Sequence, residues 1–259
     1  MSISEALVLG IIQGLTEFLP ISSSGHLALA NHLLGMKNLE NNLVFTLILH
    51  LASLAAVFLY YRSRLAALVS TAGRRDLACL VVATIPIFAV GAVLGGQIEK
   101  AQGMPLLICA CFVVNGLFLF VADRCSAGDQ KIADAPWWKI LVIGLAQGAR
   151  LPGLSRSGST IGAGWLCGIE RGEAVRFSFL LSIPAILGAC AWKARKLDLG
   201  QVDLPLVPIL LGTGITFGLS LVSIRVVEKL STRNRFLVFA VYGVAAGLAA
   251  AAWVLARGR

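Results

Sequence analysis

Residues 13–26 read Gln-Gly-Leu-Thr-Glu-Phe-Leu-Pro-Ile-Ser-Ser-Ser-Gly-His, and residues 147–160 read Gln-Gly-Ala-Arg-Leu-Pro-Gly-Leu-Ser-Arg-Ser-Gly-Ser-Thr. Each lies in a stretch that is apolar at its ends, 6–35 and 140–168, and each places a Pro and a Ser/Gly cluster where a spanning helix needs unbroken backbone hydrogen bonding. Lipid offers no partner to the freed N–H and C=O groups, so such breaks are tolerated only where protein or water covers them. The two stretches are therefore predicted to be re-entrant helical hairpins, each dipping into the membrane and returning to its own side.

The surrounding composition calls for a membrane. Of 259 residues 58% are hydrophobic and 14% charged, against roughly 25% charged in soluble domains, and the mean hydropathy is +0.85. Apolar runs at 43–61, 77–98, 106–122, 177–192, 204–227 and 236–256 predict six spanning helices, since a bilayer core takes about 20 residues per helix. No water-soluble domain fits in the remainder. The expected fold is an all-α polytopic membrane protein, one integral membrane domain over 1–259, with six transmembrane helices plus the two re-entrant hairpins. The net charge of +9 is spread in small groups between apolar runs, which is a pattern of membrane insertion and not of nucleic-acid binding. The start Met-Ser-Ile-Ser-Glu lacks a basic n-region and a small-residue cleavage site, so no removable signal peptide is expected. All six cysteines read as small buried hydrophobes, because Cys109 and Cys111 have no partner His or second pair at zinc spacing.

The two hairpins also resemble each other. Gly10-Ile11-Ile12-Gln13-Gly14 matches Gly144-Leu145-Ala146-Gln147-Gly148 at an offset of 134, and Ser22-Ser23-Ser24-Gly25 matches Ser155-Arg156-Ser157-Gly158 at 133. Phe45-Thr46 followed by Leu49 matches Phe177-Ser178 followed by Leu181 at 132, so the likeness continues into the next span. The chain reads as a duplication, repeat one about 1–125 and repeat two about 135–259. One hairpin and three spans per half force the second half to enter from the opposite face, an inverted-topology repeat whose site is expected near the midplane where the breaks meet. Under this topology one side collects thirteen Lys and Arg, among them Arg62, Arg64, Arg74 and Arg75, and the other seven. The richer side is expected to be cytoplasmic, which places both termini and the mouth of the first hairpin on the outer, periplasmic side.

Ionisable residues at membrane depth are functional candidates by default. Glu17 and His26 lie in the first hairpin, Arg150 and Arg156 in the second. If the breaks meet, a carboxylate, an imidazole, a guanidinium and up to seven hydroxyls converge, and helix N-termini rich in Ser and Gly favour phosphate-like anions. Arg156 can fork onto two phosphate oxygens. Ser23 can attack phosphorus and His26 can take or return a proton, with His26 itself and water as rival nucleophiles. Glu17 could orient the His or hold a divalent metal carrying the phosphates. Against this stand bland roles: close packing for Ser and Gly, a structural clasp for Glu17 and Arg156. His50 in the first full span divides evenly between lining the cavity and packing, His32 reads as interfacial, Arg150 as a phosphate contact or a helix-end residue, and Glu170, Arg171, Glu173 and Arg176 as a solvated loop.

These residues resemble the bacterial undecaprenyl-diphosphate phosphatase family, the bacitracin-resistance membrane phosphatases. Two motifs carry the likeness: Glu/Gln-x-x-x-Glu followed by Phe-Leu-Pro-x-Ser-Ser-x-Gly-His, present from Gln13 to His26, and Pro-Gly-x-Ser-Arg-Ser-x-x-Thr, present from Pro152 to Thr160. The resemblance implies an enzyme that hydrolyses a C55 polyprenyl diphosphate lipid to the monophosphate at the outer side of the bacterial cytoplasmic (inner) membrane, recycling the carrier for cell-wall polymers. It implies Glu17, Ser23, His26 and Arg156 as catalytic positions, Ser22, Ser155, Arg156, Ser157 and Thr160 as diphosphate-binding, and a divalent cation, magnesium or calcium, held by Glu17 and Gln13. Gln13 stands where many members have Glu, and an amide is the weaker ligand. A lipid flippase or transporter of the same architecture is the main alternative, but transport alone does not require Ser23 beside His26 and Glu17. A phosphatidic-acid-type phosphatase would need a second downstream His with an Asp partner, which the region 155–160 lacks. The bilayer and the lipid substrate are the expected partners, with no nucleic acid; the sequence leaves room for a dimer.

Overall fold

A computed structural model describes residues 2–33, 39–71, 73–125, 128–148, 151–195, 205–232 and 235–257. Arg150 and the end of the first predicted hairpin, 34–35, lie outside them. The described residues form eleven α-helices, a 3₁₀ turn at Ile132–Asp134 and no strand. In chain order the helices are α1 Ile3–Thr16, α2 Ser23–Leu33, α3 Leu39–Tyr60, α4 Arg62–Leu68, α5 Arg74–Ala101, α6 Pro105–Arg124, α7 Trp137–Gly148, α8 Arg156–Leu166, α9 Arg171–Ala194, α10 Leu206–Thr232 and α11 Leu237–Arg257. Six of these, α3, α5, α6, α9, α10 and α11, carry segments long and apolar enough to cross a membrane, one for each predicted span. The protein is a multi-pass membrane protein. Val81, Ile85, Val93 and Leu210 are more than half exposed on the long helices, a surface that water would not tolerate over such an area and that lipid solvates.

Where apolar pattern alone sets an end, polar residues extend the helix. α5 has 28 residues, starting three residues before the predicted span, because Arg74, Arg75 and Asp76 continue the coil through the interface. Arg75 donates to the carbonyls of Ala133 and Ala135 at 3.1 and 2.8 Å and lies 3.5 Å over the Trp137 ring. α4 occupies sequence expected to be loop, since residues 62–68 contain no Gly or Pro and Leu68 has a core to bury against. The expected solvated loop at Glu170–Arg176 is instead the first turns of α9. Arg171 there is largely buried, 2.8 Å from Asp123 at the end of α6 and stacked over Trp165; a guanidinium so placed needs its carboxylate partner. Of the six cysteines, Cys79, Cys109 and Cys111 are buried, while Cys125, Cys167 and Cys190 are only part-buried, and none forms a disulfide.

Small residues let the short helices approach the long ones. A Cβ on Gly10 or Gly14 of α1 would lie 2.8 Å from the backbone carbonyl oxygens of Gly212 or Thr216 of α10, and Thr216 Oγ1 and Ser223 Oγ donate to the Gly10 and Gly14 carbonyls at 2.9 and 3.0 Å. On α7 a Cβ at Gly144 would lie 2.6 Å from the Ala83 carbonyl of α5. Close backbone contact of this kind is how helices associate where no hydrophobic drive exists between them. The result holds the ends of α1 and α7, and so the breaks that follow them, inside the bundle.

Candidate active site

Both breaks are built by local sequence. Glu17 caps α1, Pro20 cannot continue the helix, and the chain turns at Ser22 (φ 69°) before α2 starts at Ser23. A left-handed φ is costly for a residue with a Cβ; Ser22 holds it because its hydroxyl accepts from the N–H groups of Gly153 and Gly25 at 3.1 and 3.4 Å, while its carbonyl accepts from His26. In the second break Gly153 takes the left-handed turn (φ 100°) and Ser155 is an ordinary N-cap, its hydroxyl accepting from the Gly158 N–H at 3.0 Å.

The breaks touch. Asn115, buried in the middle of α6, donates from Nδ2 to the Pro20 carbonyl and accepts on Oδ1 from the Ser155 N–H, both at 2.9 Å. Ser157 Oγ donates to the Leu19 carbonyl at 3.2 Å. Gly25 is confined for the same reason, since a Cβ there would stand 2.8 Å from the Gly153 nitrogen.

Glu17, 7% exposed, is the hub of this junction. Its Oε2 accepts from Ser23 Oγ at 2.6 Å and Gln13 Nε2 at 3.0 Å, and its Oε1 accepts from Arg156 Nη2 at 2.8 Å. His50 Nε2 stands 3.7 Å from the same Oε2, its Nδ1 donating to the Thr46 carbonyl at 2.7 Å. His50 thus faces the site, where the sequence left two readings open. Gln13 Nε2 also reaches Ser53 Oγ at 3.3 Å, and Ser220 of α10 donates to Ser53 at 3.2 Å.

Two buried polar atoms in this cluster lack a hydrogen-bond partner, Gln13 Oε1 and Arg156 Nη1. Buried polar atoms are rarely left so, and here one is an acceptor beside a carboxylate and the other a cationic donor. Among the described residues no group of three His, Cys, Asp or Glu stands close enough to cage a metal ion. One carboxylate plus one unpartnered amide oxygen nonetheless fits a hard cation that draws its other ligands from substrate phosphates.

The site residues expected from sequence divide into three sets. Gln13, Glu17, Ser23 and Arg156 come together. Ser22, Ser155, Ser157 and Thr160 lie beside them but turn their hydroxyls to protein partners; Thr160 Oγ1 contacts the Arg156 carbonyl at 2.9 Å and Ser178 Oγ at 2.6 Å. Both helices that follow the breaks, α2 and α8, begin at the junction, and the first N–H groups of a helix have no partner within it. His26 stands apart. None of its described contacts is to Glu17, Ser23 or Arg156: Nδ1 donates to the Ser22 carbonyl at 2.7 Å, and Nε2 meets the Tyr242 hydroxyl at 2.8 Å. Glu17 therefore orients Ser23 and not the imidazole. Sequence reading passed over Asn115, Ser53 and Tyr242. Asn115 was detectable as an amide in the middle of an apolar run; Ser53 and Tyr242 carried no comparable signal. A separate cavity of about 220 Å³, lined by Tyr61, Arg64, Asp76, Glu173 and Arg176 among others, contains none of the junction residues.

The sequence profile of the family described as "Bacitracin resistance protein BacA" matches residues 6–249. The undecaprenyl-diphosphatase of Desulforudis audaxviator is 39% identical over 262 residues, covering 98% of each chain. Those of Rhizorhabdus wittichii and Neisseria meningitidis serogroup C are 35% and 36% identical, covering 99% of each chain and 95% and 93% of the two chains respectively.

Proposed function

The chain belongs to the family of the bacitracin resistance protein BacA, and on that premise we propose how its two breaks act together. It is a membrane hydrolase that converts undecaprenyl diphosphate to undecaprenyl phosphate and inorganic phosphate, returning the lipid carrier to cell-wall synthesis and conferring bacitracin resistance. The relatives named above are called undecaprenyl-diphosphatases, and their names favour the hydrolase over the transport reading.

One observation carries the mechanism: Ser23 and Arg156, from different breaks, each bind one oxygen of Glu17. Ser23 Oγ attacks the terminal phosphorus as its proton passes to Glu17 Oε2; the bond from phosphorus to the bridging oxygen breaks, and undecaprenyl phosphate leaves with that oxygen. Water then cleaves the phosphoserine, releasing phosphate and restoring the Ser23 hydroxyl. Arg156, with Nη1 unpartnered, and the first N–H groups of α2 and α8 meet the phosphate oxygens. His26, three residues after Ser23 on α2, exchanges a proton with water or the departing phosphate. Gln13 Oε1 and the Glu17 carboxylate are the oxygens that would hold a divalent cation, magnesium or calcium. When bound, such an ion neutralises diphosphate charge.

The breaks are read as re-entrant hairpins of an inverted repeat, about 1–125 and 135–259. The supporting observation is that α1 packs on α10 while α7 packs on α5, so each half's first helix lies against the second span of the other half. The excess of Arg around α4 supports reading that side as cytoplasmic and the junction's mouth and both termini as periplasmic.

Phosphate release by the purified protein from undecaprenyl diphosphate, with and without chelator, tests the reading. Release that stops with chelator and returns with magnesium or calcium is expected; no release under any condition overturns the assignment. For orientation, an impermeant thiol reagent on a cysteine-free background should label Met104→Cys in intact cells and Thr71→Cys only after the membrane is opened. The reverse pattern inverts the topology.

A further inference from the structure

We infer that Tyr242 is a positioning residue for His26, holding the Nε2 lone pair at one place until substrate arrives. The inference rests on the reading of His26 as a proton-transfer group and goes beyond it by naming what orients it. The Ser22 carbonyl can only accept, so Nδ1 of the neutral ring carries its proton and Nε2 is left as acceptor. The Tyr242 hydroxyl is 2.8 Å from Nε2 and supplies the donor. The rings lie at 16° to each other with centroids 5.8 Å apart, and Phe112 of α6 meets the imidazole edge-on at 4.8 Å. The imidazole is thus held by a hydrogen bond at each nitrogen and contacted by two aromatic rings.

The placement is specific to this helix. Along α11, LVFAVYGVAAGLAAAAWVLAR, Tyr242 carries the only hydroxyl. The next residue, Gly243, lets the backbone settle on α6, where a Cβ would already be 3.2 Å from the Phe112 carbonyl oxygen. A lipid-facing tyrosine needs no inward partner; this one, 43% exposed, turns its oxygen onto the one imidazole in the first break. Because Nδ1 is committed to Ser22, Nε2 is the ring atom through which His26 can take a proton, and Tyr242 decides where it points. The role is one of orientation, since Tyr242 touches none of the groups around Glu17 in the described contacts.

Tyr242→Phe keeps the ring and removes only the oxygen. Diethyl pyrocarbonate acylates unprotonated, accessible imidazole nitrogen, and the chain has three histidines, so mass spectrometry assigns each adduct. In intact Tyr242→Phe protein, His26 is expected to react about fivefold faster than in the parent, with His32 changing less than about twofold, and kcat is expected to fall about tenfold with KM within about twofold, the scale of one lost hydrogen bond. Equal His26 reactivity in the two proteins, or an unchanged kcat, overturns the inference. His26→Gln separates the two levels: if it retains full turnover, the catalytic reading of His26 falls and the inference with it. If His26→Gln is inactive while Tyr242→Phe is normal, only the role of Tyr242 falls.

Discussion

The two breaks carry closely similar motifs and place different groups at the junction. In both, Ser-x-Ser-Gly opens a helix, and the first helical positions, Ser23 and Arg156, correspond at an offset of 133. Those corresponding residues bind opposite oxygens of one carboxylate, Ser23 to Oε2 and Arg156 to Oε1. The carboxylate itself has no counterpart: the matching position falls at Arg150 or Leu151, according to where the one-residue shift between the repeats lies. Gln13 and Gln147 diverge similarly, the first joining Glu17 and the second donating to the Ala83 carbonyl of α5 at 3.4 Å. Two similar helix starts thus present a hydroxyl on one side and a guanidinium on the other to a carboxylate that only the first break carries, which makes the site asymmetric.

If that division of labour is right, removing the acid, which only the first break has, is the largest single injury. Glu17→Gln leaves Ser23 without a proton acceptor and should lower kcat by about 10³, measured as phosphate release, in a protein that still purifies as a folded species. Retained turnover would move the base elsewhere, with His50 the neighbour to examine next. On the other side of the junction, Arg156→Lys keeps the charge but loses the planar fork, and kcat/KM should drop by about 10². A loss there smaller than tenfold would mean that Arg156 serves as a clasp for Glu17 more than as a phosphate contact.

The common scaffold can be probed by the same change made twice. Gly10→Ala and Gly144→Ala each push a methyl into the backbone of a long helix and should each cost about 1–3 kcal/mol, read as a fall in thermal unfolding temperature in detergent. If the repeats pack equivalently the two losses agree; a loss at one alone breaks the symmetry. The smallest effect is expected at the turns. Ser155→Ala removes an N-cap and should cost about 1 kcal/mol. Ser22→Ala should exceed it, because it leaves the buried Gly153 N–H unpaired and keeps a Cβ at φ 69°; equal costs would show that the left-handed turn in the first break is not held by its hydroxyl.

Much of the fold was legible because lipid enforces a simple rule. Each of the six predicted spans coincides with a long helix, and both breaks fall at the Pro and Ser/Gly clusters. What went astray is also physical. The charged segment after Gly168 looked solvated, yet Arg171 finds Asp123, which lies 48 residues earlier in the chain, and a pair formed across such a distance leaves no local pattern. Of the four hydroxyls expected to bind phosphate, that of Ser155 caps α8, those of Ser22 and Ser157 bond to the opposing break, and that of Thr160 contacts the Arg156 carbonyl and Ser178. Ser and Thr residues that cap a helix and those that bind an anion are the same residue types at the same spacing, so sequence does not separate them.

Composition, run length and the repeated motif by themselves determined that this is a helical membrane protein, that it is interrupted twice in the same way, and that Glu17, Ser23, His26 and Arg156 are the polar residues to watch. Tertiary structure alone decided their partners: Glu17 with Ser23 and Arg156, His26 with Tyr242, and both breaks with Asn115. The reason lies in reach. Periodicity records which residues share a face one helical turn apart, whereas Arg156 meets a carboxylate 139 residues away and Tyr242 an imidazole 216 residues away, and only the packing of helices sets such distances.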